Sequence, residues 1–201
     1  MKDYEQFYSN GGFGYTKNIP RHKNWLFHNV FTEIYSKDTT LLDAGCGDGF
    51  WSFLLASRFN VTGADVSEAG IRSANKKKAR QQIKNINFIC CDALETEKKY
   101  DIIFCRAPSF LNMPSGDDRF VKNIQKMASL SKKEVIYIQA TYKPYERWSN
   151  SSAFFDSRAD TDYVNSKWYY HDPRVLENVF NTVGNGSVRH VDNYIVGRIK
   201  K

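Results

Sequence analysis

The 201-residue chain has no long hydrophobic run, and its longest apolar patches are as short as residues 53–56. A membrane-spanning helix needs about 18 or more consecutive apolar residues, so we expect no membrane span and no membrane partner. The first five residues are polar and of mixed charge, which predicts that there is no secretory leader. The sequence therefore favours a cytoplasmic location.

Cysteine is also scarce, and its spacing fits neither a zinc site nor a disulfide framework. The four cysteines are Cys46, Cys90, Cys91 and Cys105, and no pair has the Cys-x-x-Cys spacing. Free cysteine is among the residue types that proteins bury most often. We therefore expect four small buried residues and no metal centre.

Basic residues are in excess, because 29 Lys and Arg face 22 Asp and Glu and leave a net charge of +7. This charge permits anionic partners such as nucleic acid or phosphorylated metabolites, without requiring them. The apolar share of 41% and the charged share of 25% are typical of globular proteins. Length and composition predict one domain over residues 1–201, with an N-terminal aromatic segment and helix in 1–35 and a lid-like insertion in 141–170.

Apolar strands alternate with helices along the chain, which predicts an α/β fold with a parallel sheet. The predicted strands are Leu41–Ala44, Val61–Asp65, Ile86–Cys91, Tyr100–Cys105, Val135–Ala140, Ser187–Val191 and Tyr194–Ile199. One predicted helix begins at Pro20 and has an apolar stripe that reaches Ile34, and another spans Ser67–Gln82. Two more follow Asp117 and the Asp172-Pro173 pair. The first 19 residues are rich in aromatics and glycine and are expected to be irregular.

A glycine-rich turn follows the first predicted strand. Residues 41–50 read LLDAGCGDGF, so Gly45, Gly47 and Gly49 lie between a strand and a helix. Glycines at this place let the backbone turn sharply and approach a ligand closely. A dinucleotide-binding turn, G-x-G-x-x-G, would have its third glycine at position 50, which is Phe50.

Two acidic residues stand where the next two strands end. Asp65 ends the second strand, where an acid can accept hydrogen bonds from both ribose hydroxyls, and Asp92 follows the third strand. Ligands of open α/β sheets bind outside the carboxyl ends of the strands. The turn and the two acids therefore predict a nucleotide-like ligand at this edge.

These segments together resemble the class I S-adenosylmethionine-dependent methyltransferases. LLDAGCGDG is similar to the first motif of that family, VTGADVSEAGI to the second, FICCDAL to the third and YDIIFCR to the strand-four motif. The resemblance covers residues 40–140 and continues more weakly to the end of the chain. It implies an enzyme that uses S-adenosylmethionine and releases S-adenosylhomocysteine. It also implies a Rossmann-like, doubly wound and mostly parallel seven-stranded sheet with an antiparallel last strand and helices on both faces.

The resemblance also implies the residues that bind the cofactor. Asp43 would support the glycine turn, Asp65 would bind the ribose, Val66 would touch the adenine face, and Asp92 would accept a hydrogen bond from the adenine amino group. The full cofactor-binding set that it implies is Asp43, Gly45, Gly47, Gly49, Asp65, Val66, Asp92, Ala93 and Arg106.

The candidates for catalysis follow from where helices begin, because a helix that follows a parallel strand starts at the carboxyl edge of the sheet. Arg106 follows strand four, His171 precedes the helix after strand five, and Arg21 and His22 open the helix before strand one. We expect these four residues to converge. His171 is the best candidate for a general base because the ordinary pKa of histidine is near neutrality, with a structural hydrogen bond at the helix entry as the alternative. Arg106 and His22 are further catalytic candidates.

The aromatic segments predict a roof for the acceptor pocket. The residues expected to bind the acceptor are Tyr8, Tyr15, Arg21 and Tyr142. In many related enzymes the corresponding two regions form the acceptor lid, and ordinary packing of aromatic rings is the alternative.

The first functional hypothesis is methyl transfer to the oxygen or nitrogen of a small molecule. The alternative is a nucleic-acid (tRNA or rRNA) methyltransferase, which the positive charge favours. The Lys76-Lys77-Lys78 run with Arg80 is most simply a solvated helix face, and a nucleic-acid contact surface is the alternative interpretation of it. Enzymes that methylate exocyclic amines of bases carry Asn or Asp before Pro-Pro-aromatic after strand four, whereas residues 107–110 read APSF. A third hypothesis is a catalytically silent cofactor-binding module.

Overall fold

The computed structural model describes residues 4–9, 19–140, 171–192 and 194–201. The strands are β1 (Thr40–Ala44), β2 (Asn60–Asp65), β3 (Ile86–Cys90), β4 (Tyr100–Arg106), β5 (Ser131–Ala140), β6 (Asn185–Val191) and β7 (Tyr194–Lys200). The helices are α1 (Tyr4–Ser9), α2 (Ile19–Asn29), α3 (Phe50–Leu55), α4 (Glu68–Gln81), α5 (Asp118–Leu130) and α6 (Pro173–Asn181). The predicted insertion at residues 141–170 lies outside the described residues.

The seven strands form one sheet in the order β3-β2-β1-β4-β5-β7-β6. Strands β1 to β5 pair in parallel, and β7 runs antiparallel to both β5 and β6. The predicted Rossmann-like sheet with an antiparallel last strand is therefore confirmed. The order reverses beside β1, so the carboxyl ends of β1, β2 and β4 lie together at the place where α/β sheets bind ligands.

The largest errors of the predicted elements are near the N-terminus. Residues 4–9 form helix α1, where an irregular segment was expected. Helix α2 ends at Asn29, and Ile34 is fully exposed, so the predicted apolar stripe stops at Phe31. The prediction for Ile34 was wrong because the helix ends at Asn29, so helical spacing no longer decides which side chains after that point face the core.

The other helix ends follow their capping residues. Asp117 and Asp172 are N-caps whose side chains accept backbone hydrogen bonds from Arg119 and Arg174, as expected for acids at helix starts. Strand β5 begins at Ser131, directly after α5, and so earlier than predicted, because the two lysines that follow Ser131 are exposed and gave no apolar signal.

Two hydrophobic clusters cover the two faces of the sheet. Along β4, Ile102 and Phe104 pack with α2 and α3, whereas Ile103 and Cys105 pack with α5 and α6. Successive side chains of a strand point to opposite faces, so Arg106, two residues after Phe104, belongs to the α2–α3 face. This assignment decides which candidate residues can meet.

The cysteines differ from the prediction. Cys46 and Cys105 are buried, but Cys91 is half-buried and Cys90 is exposed. The prediction was wrong for Cys90 because β3 is the edge strand of the sheet and one side of its carboxyl end is uncovered.

Within the described ranges, no helix combines the length and the apolar character that a membrane crossing requires. Among the same residues, no three His, Cys, Asp or Glu side chains are grouped so that they could hold a metal ion.

Candidate functional site

The glycine turn joins β1 to α3 through three residues in the left-handed region of backbone space. The φ angles are +76° at Gly45, +54° at Gly47 and +82° at Gly49, a region that favours glycine. The carbonyl oxygen of Ala64 in β2 accepts hydrogen bonds from the N–H groups of Gly45 and Cys46, at 2.8 and 3.1 Å. The turn is thereby held against the end of the neighbouring strand.

Asp65 connects this turn to the start of α4. Its Oδ2 accepts a hydrogen bond from the Gly47 N–H at 2.8 Å, and its Oδ1 accepts one from the Ser67 N–H at 2.9 Å. Burial raises the pKa of the Asp65 carboxyl, and the two N–H donors oppose this shift. A carboxylate has about four lone-pair sites, so Asp65 can accept further hydrogen bonds from a ligand.

Asp43, near the end of β1, supports the glycine turn from inside the protein core. It is 2% exposed, and its Oδ2 accepts a hydrogen bond from the hydroxyl of Ser52 in α3 at 2.6 Å. Burial is the main cause that raises the pKa of Asp43 to about 7, and the charge of Asp65 adds to it. This hydrogen bond ties the end of β1 to the helix that follows the turn.

The ends of β2 and β3 form the outer side of the site. Val66, directly after Asp65, is 64% exposed and offers an apolar surface at the sheet edge. Asp92 accepts a hydrogen bond from the Leu94 N–H at 2.8 Å, and Ala93 between them is buried. Each of these predicted cofactor residues therefore lies at the carboxyl end of a strand, as expected.

The loop after β4 closes another side of the glycine turn. An added Cβ at Gly45 would lie only 2.9 Å from the Cβ of Pro108, so this glycine permits close contact with the loop. Ala107 has a left-handed φ of +41°. Arg106, just before it, places its guanidinium carbon 5.5 Å from the centroid of the Trp51 ring.

His22 of α2 lies beside the Trp51 ring as well. It is 2% exposed, and its ring packs edge-on against Phe50 and Trp51, with centroid distances of 5.3 and 6.0 Å. Burial, together with the positive charges of Arg106 and Arg21, lowers the pKa of His22 to about 4. The imidazole is therefore neutral at neutral pH and can take part in hydrogen bonds but not in ion pairs.

His171 is not part of this group, because it packs on the α5–α6 face of the sheet. Its ring lies 4.6 Å from that of Phe120, and its Nδ1 and Nε2 atoms lie 3.0 Å from the Tyr137 hydroxyl and 2.9 Å from the Met113 carbonyl oxygen. A carbonyl can only accept, so Nε2 carries the proton and Nδ1 accepts from Tyr137. Burial lowers the pKa of His171. The expected convergence of His171 with Arg106 and His22 is not found.

This geometry predicts a stabilising role for His171. We expect His171→Ala to lower the free energy of unfolding by about 2 kcal/mol, because one buried hydrogen bond, one partly buried hydrogen bond and ring packing are lost. Urea denaturation measures the effect, with His190→Ala on exposed strand β6 as the matched control. Unchanged stability with a strongly reduced turnover would instead return His171 to the role of a base.

Sequence reasoning missed several residues that build the site. Trp51, Ser52 and Ser67 supply an aromatic ring, a hydrogen bond to Asp43 and the N-cap of α4. The predicted helix already begins at Ser67, and a serine directly before Glu68 is the signal that points to it as the N-cap. Glu5 of α1 accepts a hydrogen bond from the Ala69 N–H at 2.9 Å, and no local pattern signals this contact.

Of the four residues predicted to bind the acceptor, Tyr8 and Arg21 lie in the described part of the chain. Tyr8 lies against the glycine turn, since a Cβ added at Gly47 would overlap its hydroxyl oxygen, and Arg21 is exposed on α2 beside His22. Tyr15 and Tyr142 lie outside the described residues.

Comparison with known proteins is consistent with this arrangement. Residues 35–181 match a family model described as a methyltransferase domain. The ubiquinone biosynthesis O-methyltransferase of Coxiella burnetii is 38% identical over 95 residues, which are 45% of this chain and 39% of that protein. The chain spans about a third to two fifths of the length of the curated relatives it matches.

Solved structures show the same fold. A candidate S-adenosyl-L-methionine-dependent methyltransferase of Methanococcus maripaludis has a TM-score of 0.72 and 18% identity, covering 100% of this chain and 95% of that one. The magnesium protoporphyrin IX methyltransferase of Synechocystis PCC 6803, solved with bound S-adenosylhomocysteine, has a TM-score of 0.65 and 18% identity. That match covers 94% of this chain and 84% of the Synechocystis chain.

Proposed function

The chain belongs to the class I S-adenosylmethionine-dependent methyltransferase family, and on this basis we propose that it transfers a methyl group from S-adenosylmethionine to a small-molecule acceptor. The observation that carries the proposal is the glycine turn, with Asp65 of the neighbouring strand bonded to its central N–H group. The Coxiella relative, an O-methyltransferase of ubiquinone biosynthesis, supports an oxygen acceptor of low molecular weight, with nitrogen as the other possibility.

The residues at the turn fit the cofactor. Three left-handed glycines keep side chains away from the backbone, and Asp65 is a carboxylate with spare acceptor capacity at the end of β2. In this proposal Asp65 holds the ribose, Val66 and Asp92 the adenine, and Asp43 keeps the turn in place. When bound, S-adenosylmethionine supplies an activated methyl group on a positively charged sulfur.

The remaining work of the chain is to orient the acceptor and exclude water. Arg106 and His22 are proposed to do this, because they lie together at the carboxyl end of β4 beside the Trp51 ring. Arg106 donates hydrogen bonds to an oxygen of the acceptor, and neutral His22 accepts one. The cytoplasmic location expected from the sequence stays a prediction.

Incubation with methyl-labelled S-adenosylmethionine and a cell extract tests the proposed function. After separation into small molecules, nucleic acids and proteins, we expect label in the small-molecule fraction, with the Asp65→Ala variant as the inactive control. Nuclease-sensitive label in the nucleic-acid fraction would favour a nucleic-acid acceptor, and the net charge of +7 would then contribute to binding its phosphates. Cofactor binding without label in any fraction would favour a silent binding module.

The acceptor role of Arg106 predicts a selective defect. We expect Arg106→Gln to reduce labelling at least about tenfold, because a charge-assisted hydrogen bond contributes about 1.5–3 kcal/mol. Affinity for S-adenosylhomocysteine, measured by calorimetry, should change much less. Arg80→Gln, at an exposed position in α4, is the matched control. Equal losses in affinity and in labelling would make Arg106 a cofactor residue instead.

A further inference from the structure

Helix α1 is fastened to the first turn of α4, beside the glycine turn. The first N–H groups of a helix have no partner within the helix, and in α4 the Ser67 side chain accepts from the Gly70 N–H at 3.1 Å. Glu5 of α1 accepts from another of these groups, the Ala69 N–H, at 2.9 Å. The two side chains together cap α4, and one of them comes from a separate helix.

The charge of Glu5 suits this place. Hydrogen bonds from the Ser67 side chain and the Ala69 N–H, together with the positive charge of Arg72, lower the pKa of Glu5, so it is a carboxylate at neutral pH. Its Oε2 lies 3.7 Å from an Arg72 guanidinium nitrogen. The start of α4 also carries the positive end of the helix dipole, which attracts a carboxylate.

Tyr8 follows Glu5 by three residues and therefore lies on the same face of α1. Its hydroxyl oxygen lies so close to Gly47 that a Cβ there would overlap it. An added Cβ at Gly70 would lie 3.0 Å from the Gly47 carbonyl oxygen and 3.2 Å from the Tyr8 ring. The two glycines thus let α1, α4 and the turn come into direct contact.

We propose that Tyr8 is a cofactor-binding residue and that Glu5 is its positioning residue. Through the Glu5 contact, α1 holds the Tyr8 hydroxyl at the glycine turn, where it hydrogen-bonds to the bound cofactor. The inference rests on the proposed function, because it places the cofactor at that turn. A hydroxyl supplies one donor and two acceptor sites, which suits the polar groups of a nucleoside-linked amino acid. If Tyr8 instead blocked the site, removal of its hydroxyl would strengthen binding of the cofactor rather than weaken it.

Calorimetric titration of the full chain with S-adenosylhomocysteine tests the proposal. Tyr8→Phe removes only the hydroxyl, and Glu5→Gln removes only the charge. We expect each variant to raise the dissociation constant by about five- to tenfold, the range that one hydrogen bond produces. Glu68→Gln is the matched control, because it removes a charge from the same helix start and from the same Arg72 neighbour. The control should bind like the wild type.

The double variant separates positioning from simple stabilisation. If Glu5 acts through Tyr8, then Glu5→Gln adds little to the effect of Tyr8→Phe, whereas independent effects multiply. Hydrogen exchange of the Ala69 amide, without the cofactor, should become faster in Glu5→Gln and stay unchanged in Tyr8→Phe.

The outcomes distinguish this proposal from the proposed function. Wild-type binding with weaker binding in both variants supports it. Wild-type binding with equal or tighter binding in Tyr8→Phe overturns it and leaves the proposed function intact, and tighter binding would show that Tyr8 blocks the site. If the wild type itself binds no S-adenosylhomocysteine, both proposals fail.

Discussion

Replacement of Asp65 by alanine is expected to weaken binding of S-adenosylhomocysteine at least about 100-fold. The variant leaves the N–H groups of Gly47 and Ser67 without the acceptor that now holds the turn against α4. It also removes the carboxylate proposed to bind the ribose. Two or more hydrogen bonds to a charged group, at about 1.5–3 kcal/mol each, account for a change of this size.

Calorimetric titration gives the dissociation constant, and Glu97→Ala, on the exposed loop before β4, removes the same charge elsewhere as a control. Asp65→Asn should fall between the wild type and Asp65→Ala, because an amide oxygen can still accept from one of the two N–H groups. Affinity of the alanine variant within about threefold of the wild type would contradict the assignment of the cofactor site.

Replacement of Asp43 by asparagine is expected to change the pH dependence of stability. Burial raises the pKa of Asp43 to about 7 in the folded chain, above the ordinary value of 3.8 for this carboxyl group. Between these two values the folded state holds a proton that the unfolded state has released, so wild-type stability falls as pH rises. Asparagine has no charge to bury and keeps an oxygen that can accept from Ser52.

The expected loss of unfolding free energy follows from the two pKa values of Asp43. Between pH 5 and pH 8 the wild type should lose about 2–3 kcal/mol of unfolding free energy relative to Asp43→Asn, because most of the titration lies in this interval. Urea denaturation of both proteins at both pH values measures it, and other titrating groups largely cancel in the difference. Parallel changes in the two proteins would show that Asp43 is ionised across this range.

Local patterns were enough to predict the individual strands. The strand predictions for residues 61–65 and 194–199 agree with β2 and β7 to within a residue at each end, because an apolar run between polar turns is a local property. The antiparallel last strand came from the family resemblance, and the β5–β7 pairing confirms it. Local patterns failed for the burial of Ile34 and Cys90, because the exposure of a side chain depends on which neighbours cover it.

The candidate site was predictable in part for the same reason. The glycine turn and the acids at strand ends follow from the positions of residues along the strands, and the structure places them at one edge of the sheet. Their roles in binding stay predictions. Glu5 could not have been found in this way, because its partner Ala69 lies 64 residues away in the chain.

Among the described residues from Pro20 onward, the sequence by itself determined the succession of strands and helices along the chain and the place of the glycine turn. Apolar periodicity and glycine positions are sufficient for this because they act over a few residues. Only the tertiary structure decided which side chains meet. Arg106 and His22 lie on one face of the sheet, while His171 bonds to Tyr137 on the other. The physical reason is that successive side chains of a strand point to opposite faces of the sheet, and each helix packs on one face only. Arg106 and His22 therefore lie on the face that α2 and α3 cover, and the sheet separates them from His171 at the start of α6.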